Sequence, residues 1–432
     1  MGIQTHLDAA FHAGVDSLLG ETDRLLDDGY PGDDGSRQPV HTVYVPADTF
    51  TADLTASWSA RAFEAVDAQG GLQELCSILQ VPEQFRKPLA DKVAEKLSNE
   101  PIEDLRIDFE DGYGQRSDAE EDAEAQRVAR LVSETAGTAK GAAFMGIRFK
   151  CFEESTRARA LRTLDIFVSE LAGQGGLPDG LVLTLPKVST GDQVQAMIQA
   201  VEVLEKAHGL APGRLRFEVQ METPQLIIGP DGTHPVARLL HTGGNRVSAL
   251  HYGTYDYSAS LEIAAAYQSM EHPAADFAKN VMQVAVAGTG VRLSDGSTNV
   301  LPLGSPENIR AAWTLHARLV RRSLERGYYQ GWDLHPAQLP TRFAATFLFY
   351  LEGFSAAAQR LHNYVNKVQS SIMDEPATAR ALARFIDRGH ACGALSAQEI
   401  EEHTTLSIGG VRALAHPKQA SNQYASNQES NR

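Results

Sequence analysis

The chain has 432 residues, with 39 Lys and Arg against 55 Asp and Glu, a formal charge of −16; 43% of its residues are hydrophobic and 22% are charged. These fractions describe a folded globular protein and exclude a disordered one, and the acidic balance without a Lys/Arg run excludes a nucleic-acid-binding surface. No window approaches the roughly 18 consecutive apolar residues of a membrane span. The first residues lack the basic segment and long apolar core of a secretion signal. The three cysteines, Cys76, Cys151 and Cys392, are far apart and not in metal-ligand spacing, so a reduced, cytoplasmic protein is expected.

Residues 1–36 predict a helix and then a loop, with Leu18, Leu19, Leu25 and Leu26 as apolar positions before DDGYPGDDGS breaks the pattern. Eight strands are then predicted, at 41–48, 105–111, 142–149, 180–187, 215–222, 247–253, 290–296 and 328–336. Most gaps between them carry helical patterns, as at 117–136, 155–172, 190–208 and 306–326. Eight strand–helix units imply parallel strands with right-handed crossovers and predict an α/β fold, a (β/α)₈ TIM barrel over 37–340. A doubly wound open sheet is the other architecture with this alternation, but no G-x-G-x-x-G follows the first strand. Residues 341–415 predict a C-terminal extension of three or four helices, and 416–432 a polar, disordered tail. The apolar positions Phe343, Phe347, Leu348, Tyr350, Leu351 and Phe354 are read as a face for a neighbouring copy, making a homo-oligomer, or as packing on the barrel's own helices.

A barrel of this kind carries its chemistry at the C-terminal ends of the strands, and polar residues recur there. The second strand runs into Asp108, Glu110 and Asp111, the third into Arg148 and Lys150, the fourth into Lys187, the fifth into Glu222, the sixth into Gly253, Thr254, Tyr255 and Asp256, and the eighth into His335. Glu222 and Asp256 come from neighbouring strand ends, a common way to hold Mg²⁺ with two carboxylates and leave room for water and substrate oxygens. Arg148 is suited to grip a carboxylate and to offset charge on an enolate, or else to tie strands through Glu110 or Asp111. Lys187 is either a Schiff-base lysine or an electrostatic group. His335 is either a proton carrier or a rim residue bonded to backbone. The acidic run from Asp118 to Glu124 reads as a helix first turn with a solvated face. No phosphate loop, G-x-S-x-G or H-E-x-x-H is present.

The order V-Y-V-P-A-D, I-D-F-E-D, G-I-R-F, L-V-L-T-L-P-K-V, Q-M-E-T-P, H-Y-G-T-Y-D-Y and D-L-H-P-A-Q over residues 41–340 resembles the HpcH/HpaI aldolase and citrate lyase β-subunit-like superfamily. The resemblance implies the phosphoenolpyruvate/pyruvate-binding barrel and a Mg²⁺-dependent (or Mn²⁺-dependent) carbon–carbon lyase or aldolase. Such an enzyme acts on a 2-oxo or 2-hydroxy carboxylic acid, or its CoA thioester, through a metal-stabilised enolate. It implies Glu222 and Asp256 as metal ligands, Arg148 with Glu110 and Asp111 as catalytic groups, and Lys187, Gly253, Thr254, Tyr255 and His335 lining the substrate site. Three departures stand out. His41 and Thr42 replace the usual Arg-Ser pair ahead of the first strand, which weakens the case for CoA. The segments 66–100 and 341–415 are additions. The aromatic loop Y-G-T-Y-D-Y-S is reminiscent of malate synthases, so an acyl-CoA/glyoxylate condensation is the alternative reaction. A non-catalytic metabolite-binding barrel and a phosphotransferase on the same fold complete the readings.

Overall fold

A computed structural model describes residues 6–242, 245–368 and 375–419. Eight parallel strands form one sheet in the order β7-β6-β5-β4-β3-β2-β1-β8. They are β1 (His41–Pro46), β2 (Asp104–Asp108), β3 (Phe144–Arg148), β4 (Leu181–Leu185), β5 (Phe217–Met221), β6 (Val247–Tyr252), β7 (Arg292–Ser294) and β8 (Gly331–Asp333). A parallel bridge between Ser294 and Gln330 and the bond from Asp295 N–H to the Gln330 carbonyl (2.8 Å) join the two ends of the sheet into a barrel. Seven strands fall within the segments predicted from the sequence and β2 begins one residue earlier, at Asp104, because each is a short apolar run bounded by turn residues.

The helices, in chain order, are α1 (Ala9–Gly29), α2 (Leu54–Asp67), α3 (Gly71–Ile78), α4 (Glu83–Asn99), α5 (Asp118–Thr135), α6 (Arg157–Gly173), α7 (Gly191–Ala207), α8 (Pro235–Thr242), α9 (Thr254–Ser260), α10 (Pro273–Val286), α11 (Pro306–Glu325), α12 (Leu339–Val365), α13 (Pro376–Ala391), α14 (Ala397–Thr404) and α15 (Ile408–Ala415). The added segment at 66–100 is thus helical, lying between β1 and β2. Among the described residues, the extension at 341–415 has four helices, the first starting at Leu339. Of the tail at 416–432, only 416–419 belongs to the described residues. Among the described residues, no helix is long and apolar enough to cross a membrane.

Phe343, Phe347, Tyr350 and Phe354 on α12 are buried within this single chain, in the main core. That face therefore packs on the chain's own helices, and it is not the surface for a second copy that the sequence suggested. The run at 118–124 also does more than face solvent. Ser117 and Glu120 form a reciprocal cap at the start of α5, but Glu121 is fully buried between the Lys150 ammonium (2.6 Å) and the Thr163 hydroxyl (2.6 Å). Lys150 is thereby a tie between β3 and α5.

The barrel interior is polar. Side chains alternate across a strand, so every second residue points inward. Arg106 on β2 is fully buried and donates to Asp104 (2.8 Å) and to both oxygens of Glu218 on β5 (3.0 and 3.2 Å). Thr184 donates to the same Glu218 (2.6 Å). His251 accepts from the Trp332 indole through Nδ1 (3.3 Å), which leaves its proton on Nε2, 3.0 Å from Glu218. Near β8, Asp333 receives His41 Nδ1 (2.6 Å), His316 Nε2 (3.0 Å) and the Arg342 guanidinium (2.9 Å). His41 Nε2 accepts from the Glu103 backbone (3.1 Å), and Thr42 donates to Asp104 (2.9 Å). Of the two residues that depart from the family motif, Thr42 thus faces the barrel interior, while His41, next to it on the strand, faces outward and with Asp333 ties the barrel to α11 and α12.

Candidate functional site

The strand ends bring Asp108, Glu110, Asp111, Arg148, Lys187, Glu222 and Asp256, all singled out from the sequence, to one mouth of the barrel. Asp108 ends β2 and receives Arg148, which ends the neighbouring β3. Arg148 Nε donates to Asp108 Oδ1 (2.7 Å) and Nη2 to Oδ2 (2.6 Å), a bidentate pair. The Asp108 carboxylate is itself fixed by the backbone N–H groups of Glu110 (3.0 Å) and Gly112 (2.8 Å). One edge of the guanidinium is therefore locked. The other, Nη1, lies 3.5 Å from Gln220 Oε1 and 3.4 Å from Glu110 Oε2, and the Tyr44 ring sits 4.9 Å beneath. Gln220 in turn donates to the Tyr44 hydroxyl (3.0 Å).

Glu222 follows β5 and is buried. Its Oε2 accepts from the Lys187 backbone N–H (3.0 Å). Lys187 adopts a left-handed backbone, φ 49°, which is costly for a side-chain-bearing residue and turns that N–H toward the carboxyl. Burial pushes the Glu222 carboxyl up to about 8; Arg148 pulls the other way, while the Asp256 and Glu110 carboxylates push it further up. Gly253 lies against Glu222: a Cβ there would stand 2.3 Å from Glu222 Cγ. The next residues form the first turn of α9, which carries Asp256.

Lys187 Nζ bridges Glu110 Oε1 and Asp111 Oδ1, each at 2.7 Å. Burial raises the Glu110 carboxyl above its ordinary value despite Arg148 and Lys187. Burial also acts upward on Asp111, but the Lys187 ammonium outweighs it and holds that carboxyl low. Lys187 itself loses some charge stability to burial, yet its two carboxylate partners hold the ammonium above its ordinary range. It is a charged group at neutral pH, not a free amine.

The remaining expected residues lie at the edge. Thr254 is buried, and its hydroxyl stands close to Gly296 after β7. The Tyr255 hydroxyl accepts from the Asn299 N–H (2.6 Å), so this ring packs on the loop after β7. His335 accepts from the Ala337 N–H through Nδ1 (3.2 Å), and its Nε2 lies 3.1 Å from Arg61 on α2. Burial first and then Arg61 hold His335 below its ordinary value, so it is neutral, capping a turn at the rim. Sequence reasoning gave no part to Tyr44 or Gln220, although their inward phase on β1 and β5 was readable from the period of two. Asp108, Glu110 and Asp111 were read as acids that hold metal-bound water or orient Arg148, and it is Asp108 that makes the bidentate bond to Arg148.

Among the described residues, no three His, Cys, Asp or Glu side chains gather as a complete metal cage. The donor set that is present, two carboxylates from adjacent strand ends under mutual repulsion, suits a divalent cation that fills its other positions with water and substrate oxygen.

Solved structures share this fold. A citrate lyase from Burkholderia xenovorans LB400 matches with a TM-score of 0.54 at 18% identity, over 84% of this chain and 96% of that one. A malate synthase from Haloferax volcanii gives 0.48 at 14%, over 87% and 97%. The protein CitE from Mycobacterium tuberculosis, in complex with magnesium, acetoacetate and coenzyme A, gives 0.47 at 14%, over 83% and 99%. At 18% identity the likeness to the first is one of fold, the barrel that the sequence resemblance implied. No curated protein matches in sequence. The family model described as a domain of unknown function, DUF6986, matches residues 19–419, and the chain belongs to that family.

Proposed function

We propose that the protein is a divalent-metal-dependent enzyme, with Mg²⁺ as the cation, that makes or breaks a carbon–carbon bond in a small 2-oxo or 2-hydroxy carboxylic acid or its CoA thioester. The observation that carries this reading is the convergence of Glu222, Asp256 and Glu110 on one side of a locked arginine. Burial, with the neighbouring Asp256 and Glu110 carboxylates adding to it, lifts Glu222 to about 8 and so keeps it mostly protonated at neutral pH. Glu222 and Asp256 would hold the cation, which when bound supplies Lewis acidity to a substrate oxygen.

The chain's own residues divide the remaining work. Asp108 and Tyr44 hold Arg148 so that only its Nη1 edge faces the mouth. That edge is placed to offset negative charge as it develops on a substrate oxygen, without reorganising. Glu110, lifted by burial and tethered by Lys187, is the group placed to take and return the substrate hydroxyl proton. Asp111 holds Lys187 and keeps that tether charged.

The test is titration calorimetry with Mg²⁺ on the wild type and on Asp256→Ala, with turnover measured over a panel of 2-oxo and 2-hydroxy acids and their CoA esters. The variant should bind Mg²⁺ at least tenfold more weakly and lose turnover, with an unchanged unfolding midpoint. Full Mg²⁺ affinity and activity in Asp256→Ala would overturn the assignment. A new product from acetyl-CoA and glyoxylate alone would replace cleavage by condensation.

A further inference from the structure

At the opposite end of the barrel, the C-terminal helices meet the loop that precedes β1 and enclose a cavity of about 80 Å³. Five arginines line it, Arg37, Arg292, Arg384, Arg388 and Arg412, against two aspartates, Asp33 and Asp387. This is a concentration of positive charge in a chain whose formal charge is −16.

Among the described residues, the carboxylate partners reach four of these arginines and leave Arg384 without one. Arg37 is spent on Glu100 (2.8 Å) and Glu103 (3.0 Å). Arg388 reaches Asp33 (3.1 Å) and lies over the Tyr329 ring (4.2 Å); Arg412 reaches Asp387 (3.0 Å), which His416 also contacts (3.2 Å). Arg292 is held by the Ser36 carbonyl (2.9 Å) and is 4.0 Å from Asp34. Arg384 donates to the Ala415 carbonyl (3.1 Å). Among the described residues, no carboxylate lies within ion-pair distance of it. Burial pulls both Arg292 and Arg384 below the usual arginine range; Asp33, and at Arg292 also Asp34, oppose it, and the like charge of Arg388 adds to it. Half-buried guanidinium groups pressed together in this way cost stability unless an anion joins them.

We propose that this cavity is a binding site for a phosphate group. The arginines arrive from separate elements: Arg292 from β7, Arg384 and Arg388 from α13, and Arg412 from α15. A tetrahedral oxyanion presents oxygens in several directions and suits donors that surround it, whereas a planar carboxylate offers chiefly one bidentate edge. The volume matches two or three waters or a single phosphate group. A second cavity of about 290 Å³ opens beside it and shares Ser36, Arg37 and Arg292. The organic part of a phosphate monoester would have room there. An occupied site would also tie α13 and α15 to the barrel, since its donors come from both sides.

The experiment is calorimetric and thermal titration of the whole chain with inorganic phosphate, in EDTA and at constant ionic strength. The wild type, Arg384→Gln and Arg292→Gln are compared, with malonate and chloride as controls and circular dichroism confirming the fold of each variant. Wild type should bind phosphate saturably and melt higher with it. Each variant should bind at least tenfold more weakly, and without phosphate Arg384→Gln should melt no lower than wild type. A phosphate monoester that binds tenfold tighter than inorganic phosphate assigns the wider cavity to the rest of the ligand; equal affinity assigns free phosphate. Absence of saturable phosphate binding by the wild type, phosphate affinity unchanged in both variants, or malonate binding more tightly than phosphate would overturn the site.

Discussion

Glu218 and Glu222 lie on the same face of the same segment, β5 and the residue after it, and both are buried. They end in opposite states. Burial raises the carboxyl of Glu218, but Arg106, His251 and Thr184 outweigh it and hold that carboxyl at about 2. Burial also raises Glu222, and there the facing Asp256 and Glu110 add to it, so that Glu222 reaches about 8. The backbone gives the two acids the same environment; their partners make one a structural anion and leave the other waiting for a cation. Burial of an acid therefore says little about function by itself. The sign of what faces it decides.

The largest break in that comparison is on stability. Glu218→Ala leaves Arg106 buried with Asp104 as its one remaining carboxylate partner, and losing one member of a buried pair costs about 3–5 kcal/mol. Glu222→Gln removes a buried acid that faces two others, and in EDTA it should cost nothing or stabilise. Urea unfolding of both variants checks this. Similar losses in the two would mean that Glu222 is as well paired as Glu218 and would remove the reason for a cation there.

The second contrast is in pH. Below about pH 4.5 Glu222 is neutral in the folded and the unfolded chain alike. As pH rises, the unfolded chain ionises first, so metal-free protein loses stability until pH passes about 8. Glu218 works the other way: its contribution is complete above about pH 4.5 and is lost as pH falls toward about 2. Subtracting the Glu222→Gln stability profile from that of wild type, in EDTA, should leave a curve that falls between those upper limits and is flat elsewhere. Saturating Mg²⁺ should flatten it, because the cation favours the ionised carboxylate. A flat difference curve in EDTA would show that Glu222 titrates as an ordinary acid.

The barrel was legible because its signal is repeated eight times: a short apolar run, a polar strand end, then an amphipathic helix. The positions of Glu222, Asp256 and Arg148 followed from the rule that strand ends carry the site. What the sequence hid was pairing across the barrel. Arg106 and Glu218 are 112 residues apart and meet through the closure of the barrel, not through any local pattern. His41 looked like a lost entrance residue, whereas it binds Asp333, 292 residues away. The face of α12 looked free because an apolar stripe reads the same whether its cover is another copy or another helix of the same chain.

The smallest expected effect concerns Lys187, which serves the site twice by different atoms. Its backbone N–H holds Glu222, and its ammonium holds Glu110 and Asp111. Lys187→Asn keeps the first role, since asparagine tolerates the left-handed backbone that lysine adopts here. The second role disappears. The ion pair is partly open to water on the Asp111 side, so stability should fall by less than about 1 kcal/mol. Mg²⁺ affinity should stay within about threefold of wild type, because neither Glu222 nor Asp256 depends on the ammonium. Turnover should fall through a raised pH optimum, as Glu110 loses the cation that opposes burial and needs a higher pH to ionise. Borohydride reduction with a 2-oxo acid separates this from covalent chemistry. A stable adduct at Lys187 would make it a Schiff-base nucleophile; no adduct, with the shifted pH optimum, fixes its role as the tether that sets Glu110 against the poised acid beside it.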